Sequence, residues 1–161
     1  MSALAPMAEA VGTLLKARNE TVAVSESSTG GLICAALLAV PGASAFFVGG
    51  GVIYTHQARE VLLRASLEAH PGMRPSTEPY ALLSASAIRE LLGTTWGVGE
   101  TGATGPSGNR YGDAPGHSCI AVCGPETRTI TLQTGNADRE DNMWRFARAA
   151  LQLFEEVLRG S

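Results

Sequence analysis

The sequence predicts an α/β fold, in one domain that covers residues 1–161. Residues 21–25 have the pattern of a short strand, a polar turn follows, and residues 32–40 have the pattern of a buried helix. Glycine is concentrated in two stretches: six of the 19 glycines lie between Gly30 and Gly51, and seven lie between Gly97 and Gly116. Both stretches fall where strands should end. Because open α/β sheets bind ligands there, we expect one pocket built from both stretches.

Hydrophobic periodicity and capping residues predict the other elements. Helices are expected over residues 4–17, 32–40, 57–65, 77–92 and 138–158, and strands over 21–25, 46–54, 96–100, 118–123 and 128–134. The last two strands are separated by Gly124-Pro125 and should form a hairpin. Residues 101–116 then remain as a long loop, and loops of this length in compact domains are usually functional.

Composition excludes several classes of protein. The formal charge is 12 − 15 = −3, too acidic for a nucleic-acid footprint. The longest apolar run, Leu32–Val40, is too short to span a bilayer, and the amino terminus lacks the basic segment of a signal peptide. Three cysteines without metal-ligand spacing fit a reducing compartment. We therefore expect a cytoplasmic protein with no metal, no membrane contact and no nucleic-acid partner.

Two glycine motifs invite a functional interpretation. Ser27-Ser28-Thr29-Gly30-Gly31 opens a predicted helix, so its hydroxyl and N–H groups could bind phosphate or carboxylate, or could simply cap the helix. Gly97–Gly102 matches the dinucleotide pattern G-x-G-x-x-G literally. That pattern requires a helix at its third glycine, whereas Pro106 and further glycines follow here, so we do not expect a Rossmann fold.

Isolated polar residues leave alternatives open. His56 follows a predicted strand and is either a solvated loop histidine or part of the pocket, and Ser44 is either a turn serine or reactive. Arg139 begins the last helix and either pairs locally or points toward a phosphate. His117 is ambiguous. Among the 12 cationic residues, 11 are arginine and Lys16 is the only lysine.

Taken in order, these motifs resemble those of the CinA C-terminal domain family. Residues 25–31 resemble the family's Ala-Glu-Ser-Cys-Thr-Gly-Gly, and residues 41–47 resemble its Gly-Ser-Ser-x-x-Phe element. Residues 54–59 resemble Tyr-Ser-Asn-x-Ala-Lys, and residues 102–106 resemble Gly-Ile-Ala-Gly-Pro. Gly116 and Arg139 match a later glycine and an arginine that opens the last helix.

The resemblance implies a three-layer α/β/α sandwich with a mixed sheet. It also implies a homodimeric amidohydrolase, without a cofactor, that converts nicotinamide mononucleotide and water to nicotinate mononucleotide and ammonia. Ser44 is then the nucleophile, assisted by Tyr54 and by the residue at position 59. The substrate-binding residues that it implies are Ser27, Ser28, Thr29, Gly30, Gly31, Gly102, Thr104, Gly105 and Arg139.

The sequence differs from the family's motif at the position of the residue that acts as general base. The family lysine is Arg59 here, and a guanidinium does not deprotonate in a protein. The family asparagine is His56, and imidazole is the usual base near neutral pH. Two readings follow: His56 or Tyr54 accepts the proton from Ser44 while Arg59 binds charge, or the domain only binds a nucleotide. Ser28 in place of the family cysteine and Glu100 before the glycine loop are further departures.

Overall fold

Five strands form one mixed sheet in the computed structural model, which describes residues 1–161. The strands are β1 (Val22–Glu26), β2 (Phe47–Val52), β3 (Trp96–Ala103), β4 (His117–Cys123) and β5 (Thr127–Gln133). Their order across the sheet is β2-β1-β3-β4-β5. Strand β1 runs parallel to β2 and β3, whereas β4 is antiparallel to both β3 and β5. The expected β4–β5 hairpin is therefore present.

Helices cover both faces of this sheet. They are α1 (Ala5–Arg18), α2 (Leu32–Leu38), a short α3 (His56–Ala58), α4 (Glu78–Leu92) and α5 (Arg139–Gly160). The largest hydrophobic cluster joins α1, α2 and α5 to the sheet, and two smaller clusters lie under α4 on the opposite face. The predicted three-layer α/β/α sandwich is thus confirmed. None of the helices combines the length and the apolar character needed to cross a bilayer.

Two predicted element boundaries differ from the structure. The helix expected over residues 57–65 is α3 followed by a wide π-turn over Arg59–Leu63, which ends where Arg64 adopts a left-handed conformation. Strand β3 runs three residues beyond Glu100, because Gly102 and Ala103 continue the ladder opposite Ser118 and His117 of β4. The long loop therefore begins at residue 104 rather than at residue 101.

The glycines of the G-x-G-x-x-G match lie inside β3, so no dinucleotide-binding turn is formed. A Cβ atom at Gly97 would lie less than 3 Å from the carbonyl of Ala85, and one at Gly99 would lie less than 3 Å from that of Ala81. Both carbonyls belong to α4. These two glycines therefore let the α4 backbone rest directly on the sheet.

Candidate functional site

A cleft opens at the edge of the sheet where the parallel strands end. Ser27 follows β1, Tyr54 follows β2, and Thr101 and Gly102 close β3. The cleft has a volume of about 280 Å³. Its other lining residues come from α3, from the start of α4 and from the long loop: His56, Arg59, Pro75, Ser76, Tyr80, Asn109, Arg110 and Tyr111.

Arg59 is the buried cation of this cleft. It is 3% exposed, and its Nε donates to the carbonyl of Ala65 at 3.3 Å. Its Nη1 lies 3.4 Å from the hydroxyl of Tyr80 and 2.9 Å from Nδ1 of His56. No carboxylate lies within 4.0 Å of it. Since a buried charge without a counter-ion is costly, an anion in the cleft would stabilise this arrangement.

The imidazole of His56 lies between two guanidinium groups. Arg59 approaches Nδ1 at 2.9 Å, and Arg110 approaches Nε2 at 2.8 Å. A neutral imidazole accepts at one nitrogen and donates at the other, whereas a guanidinium only donates. Only one of these contacts can therefore be a hydrogen bond. The other arginine then has no acceptor at the imidazole.

Arg139 adds a third cation at the rim of the cleft. Its Nη1 donates to the carbonyl of Gly105 at 2.6 Å, and its Nη2 donates to the hydroxyl of Tyr54 at 3.2 Å. None of Arg59, Arg110 and Arg139 forms a salt bridge, whereas Arg74 outside the cleft pairs with Asp113 at 2.8 Å. The cleft thus concentrates positive charge that the chain itself does not neutralise.

The hydroxyl-rich turn between β1 and α2 binds carboxylates of its own chain. Glu26 is fully buried, and its side chain accepts from the backbone N–H groups of Gly31, Ile33 and Cys34 at 3.1, 2.9 and 2.8 Å. The anion position that the sequence predicts at the start of α2 is therefore occupied by Glu26 itself. An external anion must bind elsewhere in the cleft.

Glu100, which lies on β3, accepts hydrogen bonds from the same turn. It is 2% exposed and accepts from the backbone N–H groups of Ser27 and Thr29, both at 3.0 Å, and from the hydroxyl of Ser28. Burial raises the pKa of Glu100, and these hydrogen bonds oppose that shift. The hydroxyl of Thr29 lies 2.7 Å from Glu26 and 2.9 Å from Glu100 but carries one proton. A neutral Glu100 would remove the conflict between two carboxylates that compete for that proton.

The structure brings some of the residues expected in the site together in the cleft and leaves others outside its lining. Ser27, Tyr54, His56, Arg59 and Gly102 line the cleft. The residues that do not line it belong to the turn and to the start of the long loop: Ser28, Thr29, Gly30, Gly31, Thr104 and Gly105. Sequence reasoning missed the lining residues from α4 and the loop, although the length of that loop did indicate a function.

Ser44 lies at the opposite end of β2 from the cleft. It is exposed in a 3₁₀ turn, Ala43–Ala45, that leads into the start of β2, whereas His56 follows the end of the same strand. A six-residue strand is about 20 Å long, so Ser44 and His56 of one chain do not meet. The only lysine lies near Ser44, because Nζ of Lys16 donates to the carbonyl of Pro41 at 3.3 Å.

The surroundings of His117, Cys119 and Cys123 indicate a structural role. Nε2 of His117 lies 2.8 Å from the carbonyl of Ser76, to which it donates, and its Nδ1 lies 2.7 Å from the side-chain amide of Gln133. Burial raises the pKa of Cys119 and Cys123, which keeps both thiols protonated and unreactive. No group of three or more potential ligand side chains is arranged to hold a metal ion.

The chain folds into a three-layer α/β/α domain with a basic, solvent-accessible cleft at the ends of its parallel strands. The family model for the CinA C-terminal domain matches residues 4–158. The chain therefore belongs to the CinA C-terminal domain family.

Known proteins support this membership. A CinA-like protein of Anaeromyxobacter sp. (strain K) is 38% identical over 151 residues, which are 94% of this chain and 37% of that protein. A CinA-like protein of Synechocystis is 36% identical over 155 residues, 95% and 37% of the two chains. The chain thus spans little more than one third of the length of these curated relatives.

Solved structures share the whole fold. A competence-damaged protein (CinA) superfamily protein from Klebsiella pneumoniae superposes with a TM-score of 0.91 at 24% identity, covering 98% of this chain and 99% of that one. The competence/damage-inducible protein CihA from Agrobacterium tumefaciens gives a TM-score of 0.88 at 25% identity, with coverages of 97% and 95%.

Proposed function

We propose that the cleft binds a pyridine mononucleotide and that the protein hydrolyses the amide of nicotinamide mononucleotide to nicotinate mononucleotide and ammonia. The class of reaction comes from the family. The substrate is argued from the cleft, whose unpaired cations suit a phosphate ester. In this proposal Arg59 and Arg110 bind the phosphate, Arg139 binds charge at the rim, and Ser27 contacts the substrate.

The buried guanidinium of Arg59 is the observation that carries the proposal. A phosphate monoester carries between one and two negative charges near neutral pH and presents several acceptor oxygens. Arg59 and Arg110 flank His56, which can accept a hydrogen bond from only one of them. Charge-assisted hydrogen bonds from arginine to phosphate are short and are often bidentate. A phosphate beside His56 would therefore neutralise the one buried, unpaired cation of the cleft.

Amide hydrolysis also needs a nucleophile and a group that accepts its proton. We assign the nucleophile to the hydroxyl of Ser44. The sequence offers His56 or Tyr54 as the proton acceptor, and because both ring nitrogens of His56 contact the arginines that bind the phosphate, the proposal takes Tyr54. Arg59 cannot be that acceptor, because a guanidinium stays protonated. Ser44 lies one strand length away from the cleft within the chain, so this assignment requires that Ser44 come from a second copy of the chain, as the homodimer implied by the family resemblance would allow.

Calorimetry and an ammonia assay together test the proposal. The protein should bind nicotinamide mononucleotide more tightly than nicotinamide riboside, which lacks the phosphate, and should release ammonia from the mononucleotide. Arg59→Gln should weaken mononucleotide binding by at least tenfold. Arg128→Gln is the matched control, because Arg128 is exposed and pairs with Glu156 on the far surface. Equal binding of both ligands, or unchanged binding by Arg59→Gln, would contradict the phosphate assignment.

A second candidate is a nucleotide-binding domain without turnover. The separation of Ser44 from the cleft within one chain, together with arginine at the family's lysine position, favours it. It predicts that a pyridine mononucleotide raises the melting temperature, since a ligand that binds only the folded state stabilises it. It also predicts that no ammonia is released at any protein concentration.

A further inference from the structure

Every cation–π contact of the chain involves a tyrosine that lines the cleft. The guanidinium of Arg59 lies 5.8 Å from the ring centroid of Tyr80, and those of Arg74 and Arg110 each lie 5.2 Å from the ring centroid of Tyr111. In such a contact the electron-rich face of the ring attracts the positive charge. Both rings of the cleft therefore already bind cations that belong to the chain.

Of these two rings, that of Tyr111 is the accessible one. Tyr80 is 7% exposed in the first turn of α4, and its cation is the buried Arg59. Tyr111 is half-buried in the long loop, and one of its two cations, Arg110, is exposed. A ligand could replace Arg110 at the Tyr111 ring from the solvent side, whereas replacing Arg59 would displace a buried charge.

A network of hydrogen bonds fixes the backbone at Tyr111. Its N–H donates to Oδ1 of Asn109 at 3.0 Å, and the N–H of Asp113 donates to the same oxygen at 3.1 Å. The carboxylate of Asp113 accepts from Nδ2 of Asn109 at 2.8 Å and from Arg74 at 2.8 and 3.3 Å. Arg74 is therefore neutralised by Asp113 and belongs to the network. The ring of Tyr111 is thus positioned before a ligand binds.

The side chain of Arg110 is the replaceable cation. Its Nη2 lies 2.8 Å from Nε2 of His56 and 3.1 Å from the hydroxyl of Tyr111, and it forms no salt bridge. Both partners are uncharged acceptors. Charge-assisted hydrogen bonds are roughly twice as strong as neutral ones. A phosphate beside His56 would therefore draw Arg110 away from the ring and leave that face of Tyr111 open.

The substrate of the proposed function carries both charges that this exchange needs. A pyridine mononucleotide joins a phosphate ester, with between one and two negative charges near neutral pH, to a pyridinium ring with one positive charge. One guanidinium, that of Arg110, contacts both His56 and Tyr111, so the two positions are adjacent. The phosphate would pair with Arg110, and the pyridinium would take the place over Tyr111 that Arg110 leaves.

We propose that Tyr111 is a specificity-determining residue whose aromatic face binds the pyridinium ring of the substrate in exchange for the guanidinium of Arg110, which moves to the phosphate. The inference rests on the proposed function for the identity of the substrate. It adds the position of the ring and a selectivity: the cleft favours nucleotides with a cationic base over those with an uncharged base.

Calorimetric titration with two ligands of the same shape tests the ring position. Nicotinamide mononucleotide carries the pyridinium charge, whereas benzamide riboside monophosphate has an uncharged phenyl ring in its place. The wild type should bind the first more tightly, and Tyr111→Leu should shift the ratio of the two dissociation constants by about fivefold toward the second. Tyr111→Phe keeps the aromatic face and should keep the ratio. Equal binding of both ligands by the wild type, or an unchanged ratio in Tyr111→Leu, would overturn the proposal.

The ratio distinguishes a ring contact from a merely structural role of Tyr111. A disturbed loop would weaken both ligands alike and would leave their ratio at the wild-type value. Ser107→Ala is the matched control, because Ser107 is exposed in the same loop and does not line the cleft. It should leave both dissociation constants unchanged.

The exchange of cations predicts effects of opposite sign for one substitution. Arg110→Gln removes a phosphate donor and also removes the cation that competes for the ring. It should weaken the binding of nicotinamide mononucleotide and strengthen that of nicotinamide riboside, which has the pyridinium ring but no phosphate. Riboside binding that stays the same or weakens would contradict the exchange.

Fluorescence of Tyr111→Trp reports the contact without reference to affinity. A pyridinium ring stacked on an indole accepts an electron from its excited state and quenches the emission, whereas a phenyl ring does not. Saturation with nicotinamide mononucleotide should quench this variant more than the wild type, whose tryptophans are Trp96 and Trp144. Equal quenching of the two proteins would place the pyridinium away from this position and would overturn the proposal.

Binding and turnover together separate the two proposals. A preference for the cationic ring that depends on Tyr111, without release of ammonia, would refute the proposed reaction and leave the ring position supported. Release of ammonia together with a ratio that Tyr111→Leu does not change would refute the ring position and leave the reaction supported. Absence of binding by both mononucleotides would refute both.

Discussion

Replacing Glu100 with alanine should lower the free energy of unfolding by about 4 kcal/mol. The carboxyl group of Glu100 accepts the backbone N–H groups of Ser27 and Thr29 at 3.0 Å each, and it is 2% exposed. Alanine would leave two buried donors without a partner, at about 1–3 kcal/mol for each. The melting temperature should therefore fall by on the order of 10 °C or more.

Glu100→Gln separates the role in hydrogen bonding from the role of the charge. A glutamine carbonyl can still accept both N–H groups, so this variant should lie within about 1 kcal/mol of the wild type at low pH. Because the folded protein raises the pKa of Glu100, its contribution is fully present below the ordinary glutamate pKa. The contribution is lost as the pH rises through the raised value. The advantage of Glu100→Gln over the wild type should thus grow with pH.

Urea unfolding at pH 4, 6 and 8, followed by tryptophan fluorescence, measures these differences. Glu156→Gln is the matched control, because Glu156 is exposed and its pair with Arg128 should be worth less than about 1 kcal/mol. A loss under 1 kcal/mol for Glu100→Ala would refute the view that Glu100 holds the turn. A pH-independent difference between Glu100→Gln and the wild type would refute the role of its ionisation.

Three further substitutions test the fold by thermal denaturation. Gly97→Ala should destabilise by at least about 1–3 kcal/mol, because its methyl group overlaps the α4 backbone, whereas Gly160→Ala meets open space and should be neutral. Thr77→Ala removes the side-chain cap of α4 and should cost about 1 kcal/mol; a neutral result would show that the cap is not needed. The bond from Arg74 lowers the pKa of Asp113, so Asp113→Asn should be destabilising at neutral pH, and the difference should disappear as the pH falls through that lowered value. A pH-independent loss would contradict this.

Local signals were sufficient to predict most of the fold. The periodicity of α4 and α5, the caps at Thr77 and Asp138, and the Gly124-Pro125 break between β4 and β5 each act over a few residues. Such features can therefore be predicted from a few consecutive residues. The order of strands across the sheet depends on contacts between distant residues, and it was not predicted; the family resemblance implied only the three layers and the mixed sheet.

The candidate site was harder to predict, because its groups meet only after folding. Glu26 and Glu100 are 74 positions apart and reach the same turn from neighbouring parallel strands, so no local pattern shows that the turn's N–H groups are already bound. Arg110 belongs to a loop whose length indicated a function but not which side chains point inward. The absence of a carboxylate near Arg59 likewise depends on which residues meet in the folded chain. The spacing of residues along the sequence does not show it.

The close approach of α4 to β3 has a consequence for how the cleft meets its ligand. With Gly97 and Gly99 seated against α4 backbone carbonyls, the helix cannot slide or tilt without collision. Tyr80, which stands in the first turn of α4, is therefore held at a constant height above the strand ends. One wall of the cleft is in this way set before any ligand arrives. The entropy lost on binding then comes chiefly from exposed side chains such as Arg110, which become ordered. Selectivity between ligands should depend on how well each one fits the preformed wall, and not on a movement of the protein that closes the cleft.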